Sequence, residues 1–505
     1  MKKFLILGML GALALAWLAY NAPFADGAFA NNAPTATPRA TRVRKPKPTV
    51  TATPVPESID EASAANEPEI SPVSPGAMTS QIVVFNPDTS GAATVQIDIY
   101  DSAGNVAYTT TVTVNANGAK IITLPSSLGT NFQGSAAISS DKNIQALAVA
   151  ANGTNTARDA YEGMSAPATN LVVPFARHLA ANTQNSILAI QNTTASAADV
   201  YVTFYDATGS AATAAITQSL SAHQPLYLNT NTIFPSATFT GSIGITSTQN
   251  IAAALQTRYF KDTGAIRALA SGNQDTIVYL NALQRKLNAT GVPQSWTEIF
   301  VRNNGTNATD ITIEFFTNAG ASLGTQTASA IPANGSAQFL LNDSAFALLG
   351  SSYAGWAKIS STGEPLVASS IAVISKGKRM TSVDGLANAQ VTTRYVCGDT
   401  SRNATQTSQL TLLNTEARNA KVLVRLYDPN SGAQVAQATI ILLPRAATTI
   451  KLSDPLFAAA GTNFQGMTLV RAKGTTPPKI IAAVTNPYGS SKLTGTTGYV
   501  CGALP

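Results

Sequence analysis

The segment VYVTFYDATG, residues 200–209, decides the fold because its side chains alternate between two faces before a tight turn. The two faces carry different side chains, with Val200, Val202, Phe204 and Asp206 on one and Tyr201, Thr203 and Tyr205 on the other. This alternation predicts an antiparallel strand in a sheet with one buried side. The Asp and Gly that follow predict a hairpin turn closed by a glycine at positive φ.

The same pattern recurs four times along the chain. Its copies read VQIDIYDSAG (95–104), VYVTFYDATG (200–209), ITIEFFTNAG (311–320) and VLVRLYDPNSG (422–432). A strand ending in asparagine precedes each copy, at Asn86, Asn192, Asn303 and Asn414. An aromatic-x-Gly motif follows each copy, at Phe132/Gly134, Phe239/Gly241, Tyr353/Gly355 and Phe464/Gly466. The asparagines lie 106, 111 and 111 residues apart, so each repeat is as large as a domain.

Each repeat contains about seven short period-two segments bounded by Gly, Asn, Ser or Pro, which is typical of a β-sandwich. We therefore predict an all-β chain with four tandem immunoglobulin-like antiparallel β-sandwich domains. The predicted domain boundaries are 81–178, 179–286, 287–398 and 399–505. The pattern allows short helical turns around 126–128 or 345–348.

The N-terminus has the pattern of an export signal. Lys2 and Lys3 precede an apolar run from Phe4 to Tyr20, and a small-x-small motif ends at Ala30. This pattern predicts a signal peptide at 1–30, cleaved after Ala30, with an uncleaved membrane anchor as the alternative. Residues 31–80 are rich in Thr and Pro and predict a disordered linker. The body is therefore expected outside the cytoplasm, as an extracellular or cell-surface protein.

The composition argues against several classes of function. Charged residues make up 11% of the chain and the net charge is +6, with no run of Lys and Arg in the body, so we expect no nucleic-acid partner. The densest basic cluster, Arg39 to Lys47, lies in the linker. His178, His223, Cys397 and Cys501 are the only histidines and cysteines. They offer little material for a metal site, a cofactor site or a nucleophile–base pair, so we expect a protein that is not an enzyme.

The repeats resemble the immunoglobulin-like or fibronectin-III-like modules of bacterial secreted and cell-surface proteins. The resemblance covers about 81–505 and depends on the Asn-ended strand, the YDxxG hairpin and the aromatic-x-Gly strand. The third repeat departs from it, with Phe316 and Thr317 in place of Tyr and Asp. The resemblance implies an extracellular scaffold, adhesion or display role without identifying a ligand.

The two cysteines occur in the same phrase, Tyr395-Val396-Cys397-Gly398 and Tyr499-Val500-Cys501-Gly502. The strand containing this phrase either closes its own repeat or bridges to the next one. If it bridges, Cys397 and Cys501 bracket the fourth repeat and can form a disulfide, which export permits. If it only closes its own repeat, the two thiols lie in neighbouring domains, too far apart to bond.

Other polar and aromatic residues have structural interpretations. The repeated asparagines are expected to bind backbone at a strand end. Asp101, Asp206 and Asp428 are expected to form Asx turns rather than calcium loops. Trp356 is predicted to be in the core, whereas Trp296, in the polar stretch GVPQSWTE, is the better candidate for an exposed ligand contact.

These observations favour a non-enzymatic, exported structural or adhesion protein. One alternative is an array of carbohydrate-binding modules acting on envelope or extracellular polysaccharide, and another is an accessory subunit of a surface assembly or enzyme. The expected partners are other copies of the chain or a surface polymer or glycan. Contact with a membrane is expected only through an uncleaved N-terminal segment.

Overall fold

The computed structural model describes residues 3–9, 78–129, 132–152, 158–179, 184–259, 262–270, 274–374, 379–403, 406–490 and 493–504. The linker at 31–80, except for its last three residues, and most of the predicted signal peptide lie outside these ranges, as does the basic cluster from Arg39 to Lys47. Antiparallel strands dominate the described part, which confirms the all-β prediction. Within it, no helix has the length and apolar character needed to cross a bilayer.

The strands fall into four repeats. The first repeat contains β1 (Lys3–Met9), β2 (Met78–Phe85), β3 (Ala93–Tyr100), β4 (Val106–Val114), β5 (Ala119–Thr123), β6 (Gly134–Ser140), β7 (Gln145–Asn152) and β8 (Arg158–Glu162). The second contains β9 (Ala168–His178), β10 (Gln184–Asn192), β11 (Ala198–Tyr205), β12 (Ile216–Leu220), β13 (Pro225–Asn229), β14 (Phe239–Tyr259), β15 (Asp262–Arg267) and β16 (Leu269–Ala270).

The third repeat contains β17 (Ile277–Leu287), β18 (Pro293–Asn303), β19 (Thr309–Thr317), β20 (Ser322–Ile331), β21 (Ser336–Leu340), β22 (Ser352–Ser361), β23 (Leu366–Ile374), β24 (Arg379–Asp384) and β25 (Leu386–Ala387). The fourth contains β26 (Arg394–Arg402), β27 (Gln409–Asn414), β28 (Ala420–Tyr427), β29 (Gln434–Leu442), β30 (Ala447–Lys451), β31 (Phe464–Lys473), β32 (Ile480–Ser490), β33 (Leu493–Val500) and β34 (Gly502–Ala503). Within the described ranges, helical structure is confined to short pieces at α1 (Thr230–Ile233), Ser126–Leu128, Ser344–Leu349, Asn388–Gln390 and Pro455–Ala460.

The repeats share a common strand order in two layers, which are separate sheets in the first and fourth repeats and are joined through shared strands into one continuous sheet in the second and third. In the first repeat the order is β4-β3-β6-β1 in one sheet and β5-β2-β7-β8 in the other. The fourth repeat has β29-β28-β31-β26-β34 and β30-β27-β32-β33. In the second repeat the long strand β14 serves both layers, because its first half pairs with β11 and its second half with β10. We call the layer that contains β3, β11, β19 or β28 the outer sheet, and its partner the inner sheet.

The outer sheets have one buried face, as the alternating sequence predicts. In β3, Val95, Ile97 and Ile99 are fully buried, whereas Gln96 between them is exposed. The inner sheets are different, because the run from Ile82 to Phe85 in β2 is buried on both faces. Continuous apolar runs such as this are typical of strands that are covered on both sides.

The strands β9, β17 and β26 belong to the sheets of the repeats that follow them. They pair with β14, β22 and β31, respectively. The sequence-based boundaries at 178, 286 and 398 assign most of these residues to the preceding repeats instead. In the first repeat the corresponding place beside β6 is filled by β1, which comes from the segment predicted to be a signal peptide.

The four repeats form one compact unit in which the fourth repeat contacts the first, so the repeats close into a ring. At three of the four joints, a hairpin carbonyl accepts a hydrogen bond from a backbone N–H of the next repeat. These bonds run from Ser336 to Ala207 (3.0 Å), from Ala447 to Asn318 (2.9 Å) and from Ala119 to Pro429 (2.8 Å). At the remaining joint Pro225 has no N–H, and Gln224 Nε2 instead donates to the Ser102 carbonyl at 3.2 Å.

Apolar packing crosses the same joints. Ile187 and Ala189 of the second repeat belong to the core of the first, and Val83 and Phe85 of the first belong to the core of the fourth. Phe300 of the third repeat packs in the core of the second, where its ring lies 4.0 Å from that of Phe175. Each inner sheet therefore completes the core of a neighbour, which explains why β2 and its equivalents are buried on both faces.

Candidate functional site

The strands β8, β15, β24 and β33 are the last long strands of their repeats, and they contact one another where the four repeats meet. Small residues occupy one equivalent position on each strand, namely Ala160, Ala265, Ser382 and Gly498. Their size lets the four backbones approach closely. We call this meeting point the axial site, and a small cavity lies among its residues.

The next inward-facing position of the same strands carries charge in three repeats. It is occupied by Glu162, Arg267, Asp384 and Val500. Arg267 Nη1 lies 2.9 Å from Glu162 Oε2, and Arg267 Nε lies 3.5 Å from Asp384 Oδ2. The three side chains are between 12% and 19% exposed, so this is a largely buried cluster. One guanidinium therefore connects the first, second and third repeats.

Burial controls the protonation of this cluster. Burial raises the pKa of Asp384 to about 6, although the nearby Arg267 opposes the change. Burial also raises the pKa of Glu162, where Arg267 again opposes and Asp384 adds to the increase. Two carboxyl groups share one cation, and burial makes both of them harder to ionise than they are in water.

The axial site can join the repeats through ion pairs whose strength depends on pH. Glu162 and Asp384 both contact Arg267, so each carboxyl group already has a partner within the cluster. Across the described ranges, no three His, Cys, Asp or Glu side chains lie close enough together to hold a metal ion.

The disulfide lies beside the axial site in the fourth repeat. Cys397 in β26 is bonded to Cys501, which directly follows β33, and both are buried. Because β26 pairs with β31, the YVCG strand bridges into the fourth repeat rather than only closing the third. The predicted disulfide is therefore confirmed, and it connects the first and last long strands of that repeat.

The repeated asparagines bind backbone, as the sequence predicts. In the first repeat, Asn86 Nδ2 donates to the carbonyl groups of Gly91 and Val114, and its Oδ1 accepts from the Asp88 N–H. The other three asparagines make the same kind of contacts and are also fully buried. Each one therefore joins a strand end to a loop about 28 residues further along the chain.

The aspartates before the turn glycines form Asx turns. Asp206 Oδ1 accepts from the N–H groups of Thr208 and Ser210, and Gly209 has φ +80°. Asp101 and Asp428 make similar bonds. These hairpins are also the contact points of the ring, since a side chain at Gly209 would overlap the carbonyl oxygen of Ala333 in the third repeat.

The aromatic candidates occupy different environments. Trp356 is 1% exposed and stacks on Phe316 with ring centroids 4.1 Å apart, which confirms its place in the core. Trp296 is half-buried rather than exposed, since it packs against the core of the second repeat and donates from Nε1 to Glu298 at 3.3 Å. A ligand contact at Trp296 stays a prediction.

The two histidines lie in unrelated places. His178 ends β9 and is buried, and this burial lowers the pKa of its imidazole. His223 occupies a turn with φ +58° and stacks on Tyr100 at a centroid distance of 4.7 Å. The same positive-φ position is occupied in the other repeats by Asn117, Asn334 and Arg445. His223 is therefore the residue that the second repeat has at a position common to all four joints of the ring.

The cluster of Glu162, Arg267 and Asp384 has no recognisable motif in the sequence. These residues stand at one equivalent position, but the strands around them, RDAYE, DTGAIR and RMTSVD, have little sequence in common. Aligning the repeats through their last strands is the signal that could have found the cluster. No family model matches the chain, and no curated protein matches it either.

Proposed function

We propose that the chain is a non-enzymatic, exported structural or adhesion protein whose four repeats act as one rigid head on an N-terminal linker. Closure of the ring is the observation that supports this proposal most directly. Three of the four joints use the same backbone hydrogen bond, and three of the hydrophobic cores include side chains of a neighbouring repeat. A unit of this kind moves as a single body, unlike a string of independent modules.

The ring changes the mechanism expected from tandem modules. Independent domains in series would place one weak binding surface at regular distances and gain avidity from repetition. In the ring, the inner sheets are covered by neighbouring repeats, so only the outer sheets and loops remain available to a partner. A rigid head that presents four different outer faces is the mechanism we favour.

Export is supported by two features. The N-terminal sequence has the pattern of a signal peptide, and the Cys397–Cys501 disulfide is compatible with an oxidising compartment. Cleavage after Ala30 would also remove β1 from its place beside β6, so export by this route would leave that edge of the first repeat free.

Fractionation of the producing cells, combined with negative-stain electron microscopy of the purified protein, tests this proposal. We expect the protein in the extracellular or surface fraction, as compact particles of uniform size. A cytoplasmic location, or rods with four separate beads, would contradict it. A hydrolase screen provides a second test, because an activity that is lost in His178→Ala would show that the protein is an enzyme.

A further inference from the structure

One outer face differs from the other three in charge. In the fourth repeat, Lys421 and Arg425 of β28 and Arg471 and Lys473 of β31 lie on the same face of the outer sheet. Register places Lys421 directly opposite Lys473, and Arg394 of β26 opposite Arg471. We call the four side chains of β28 and β31 the basic face.

The four cations of the basic face repel one another. Like charges directly opposite each other in a sheet are destabilising. Arg471, followed by burial and then by Arg425 and Lys421, lowers the pKa of Lys473 below its ordinary value. Within the described part of the chain, none of the four side chains takes part in an ion pair.

The equivalent faces of the other repeats carry no such charge. The position of Lys421 is taken by Thr94, Asp199 and Asp310, and that of Arg425 by Asp98, Thr203 and Glu314. The same fold therefore accepts neutral or acidic residues at these positions. Positive charge at this face is a property of the fourth repeat and is not needed by the sandwich.

We propose that the basic face of the fourth repeat binds an acidic polysaccharide whose carboxylate groups pair with Lys421, Arg425, Arg471 and Lys473. Arginine and lysine together suit carboxylates, since the guanidinium fork binds them in a bidentate manner and the ammonium adds a point charge. Side chains two apart on a strand are about 7 Å apart, and side chains opposite one another on neighbouring strands are about 5 Å apart, so the four cations spread over a flat patch of the sheet. An extended polymer with regularly spaced carboxylates complements this patch.

Other polyanions fit this face less well. Single-stranded nucleic acid needs aromatic platforms for its bases, but Leu423 lies at the centre of the basic face and no aromatic residue lies among its four cations. A flat sheet face also has no helix or ribbon to enter a DNA groove. A membrane surface is a closer competitor, because the exposed Ile441 of β29 lies directly opposite Lys421, so binding to anionic vesicles is measured as well.

The proposal deepens the proposed function by naming a ligand class, and it rests on that function for the encounter with envelope polymers. The purified protein can be tested without that assumption. Binding to polygalacturonate is measured by calorimetry at low salt and again at about 200 mM salt, with dextran as the neutral polymer. We expect binding that weakens as salt rises, because the contacts are ionic, and no binding to dextran.

The variant that removes the basic face uses residues already tolerated by the fold. Lys421→Thr, Arg425→Thr, Arg471→Ser and Lys473→Thr introduce the residue types found at equivalent positions in other repeats. The matched control removes four exposed lysines elsewhere, through Lys120→Thr, Lys286→Thr, Lys451→Thr and Lys479→Thr. We expect the affinity of the basic-face variant for polygalacturonate to fall at least about tenfold, and that of the control to stay within about twofold.

Several results would overturn the proposal. One is an equal loss of affinity for polygalacturonate in the basic-face variant and in the control, which would show that binding depends only on net charge. Another is undiminished binding by the basic-face variant when its thermal unfolding matches that of the wild type. Tighter binding to a DNA oligonucleotide or to anionic vesicles than to polygalacturonate would identify a different ligand class. Self-association that depends on the basic face, without polysaccharide binding, would identify a second copy of the chain as the partner. Failure of the proposed function would appear separately, in the fractionation.

Discussion

The axial position of the first three repeats and that of the fourth differ in their chemistry and in what they connect. Glu162, Arg267 and Asp384 connect three repeats through ionic contacts around one cation. The fourth repeat places Val500 there, directly before the disulfide-bonded Cys501. The ionic contacts join different repeats, whereas the disulfide joins two strands of a single repeat.

This difference shows that the repeats share a backbone without sharing side-chain chemistry. The Asx turns, the buried asparagines and the turn glycines recur because the backbone needs them. The axial and outer positions are free of that requirement, so they vary from repeat to repeat. The ionic part of the axis should respond to pH and the covalent part to reductant, and each response can be measured separately.

The largest effect is expected from loss of the disulfide. Cys397 and Cys501 are 104 residues apart in sequence, and a cross-link closing a loop of this size restricts the unfolded chain strongly. We expect Cys397→Ala with Cys501→Ala to lower the free energy of unfolding by about 4 kcal/mol. Denaturant unfolding measures this change. Reductant should destabilise the wild type and leave the double variant unaffected, and an equal response would contradict the prediction.

Removal of the shared cation should have the next largest effect. Arg267→Met leaves Glu162 and Asp384 close together without a compensating charge. We expect the free energy of unfolding at pH 7.5 to fall by about 3 kcal/mol, and the loss to shrink at about pH 4, where both carboxyl groups are neutral. Thermal unfolding at the two pH values measures this. A loss that does not change with pH would show that Arg267 acts only by packing.

Asp384→Asn should stabilise the protein, but only above acidic pH. The pKa of Asp384 is about 6 in the folded chain and 3.8 in the reference state, so the folded state binds the proton more tightly. The stabilisation contributed by the protonated Asp384 carboxyl group is therefore fully present below about pH 4 and is lost as the pH rises through about 6. At about 1.4 kcal/mol per pH unit, the variant should gain at most ~3 kcal/mol at pH 7.5. A variant that is less stable than the wild type at pH 7.5 would contradict this account.

The ring joints can be tested with two glycines at the same place in an Asx turn. Gly209 has φ +80° and Gly291 has φ +81°, but an added methyl group meets the third repeat at Gly209 and open space at Gly291. Both Gly→Ala variants should lose stability because of the positive φ. We expect Gly209→Ala to lose about 1 kcal/mol more, as measured by thermal unfolding. Equal losses would mean that the joint adapts without strain.

Local features of the repeats could be predicted from the sequence, whereas their assembly could not. Alternation in 200–209 predicted the strands, and the asparagines and turn glycines predicted the loops, because these depend on neighbouring residues. Ring closure depends on contacts such as that of Ala119 with Pro429, more than 300 residues away. The continuous apolar run from Ile82 to Phe85 was the available hint, since a sheet buried on both faces needs a second covering layer.

The candidate site was harder to predict for the same reason. Cys397 and Cys501 were found because their phrase is repeated in the sequence. Glu162, Arg267 and Asp384 share a position in their repeats but not a residue type. Because their charges differ in sign, the sequence does not show that the three positions are equivalent. The basic face was missed because Lys421 and Arg471 are 50 residues apart, and only strand register brings them together.

Closure of the ring also fixes the number of repeats. A linear repeat array needs polar caps at its two ends, and it can grow or shrink by one unit without exposing new surface. Here every inner sheet is covered by a neighbour, so there is no end to cap and no place to insert a fifth unit. Deletion of one repeat would not give a shorter version of this protein. It would leave an open arc with two uncovered apolar sheets, and the remaining repeats could bury those sheets only by pairing with another molecule.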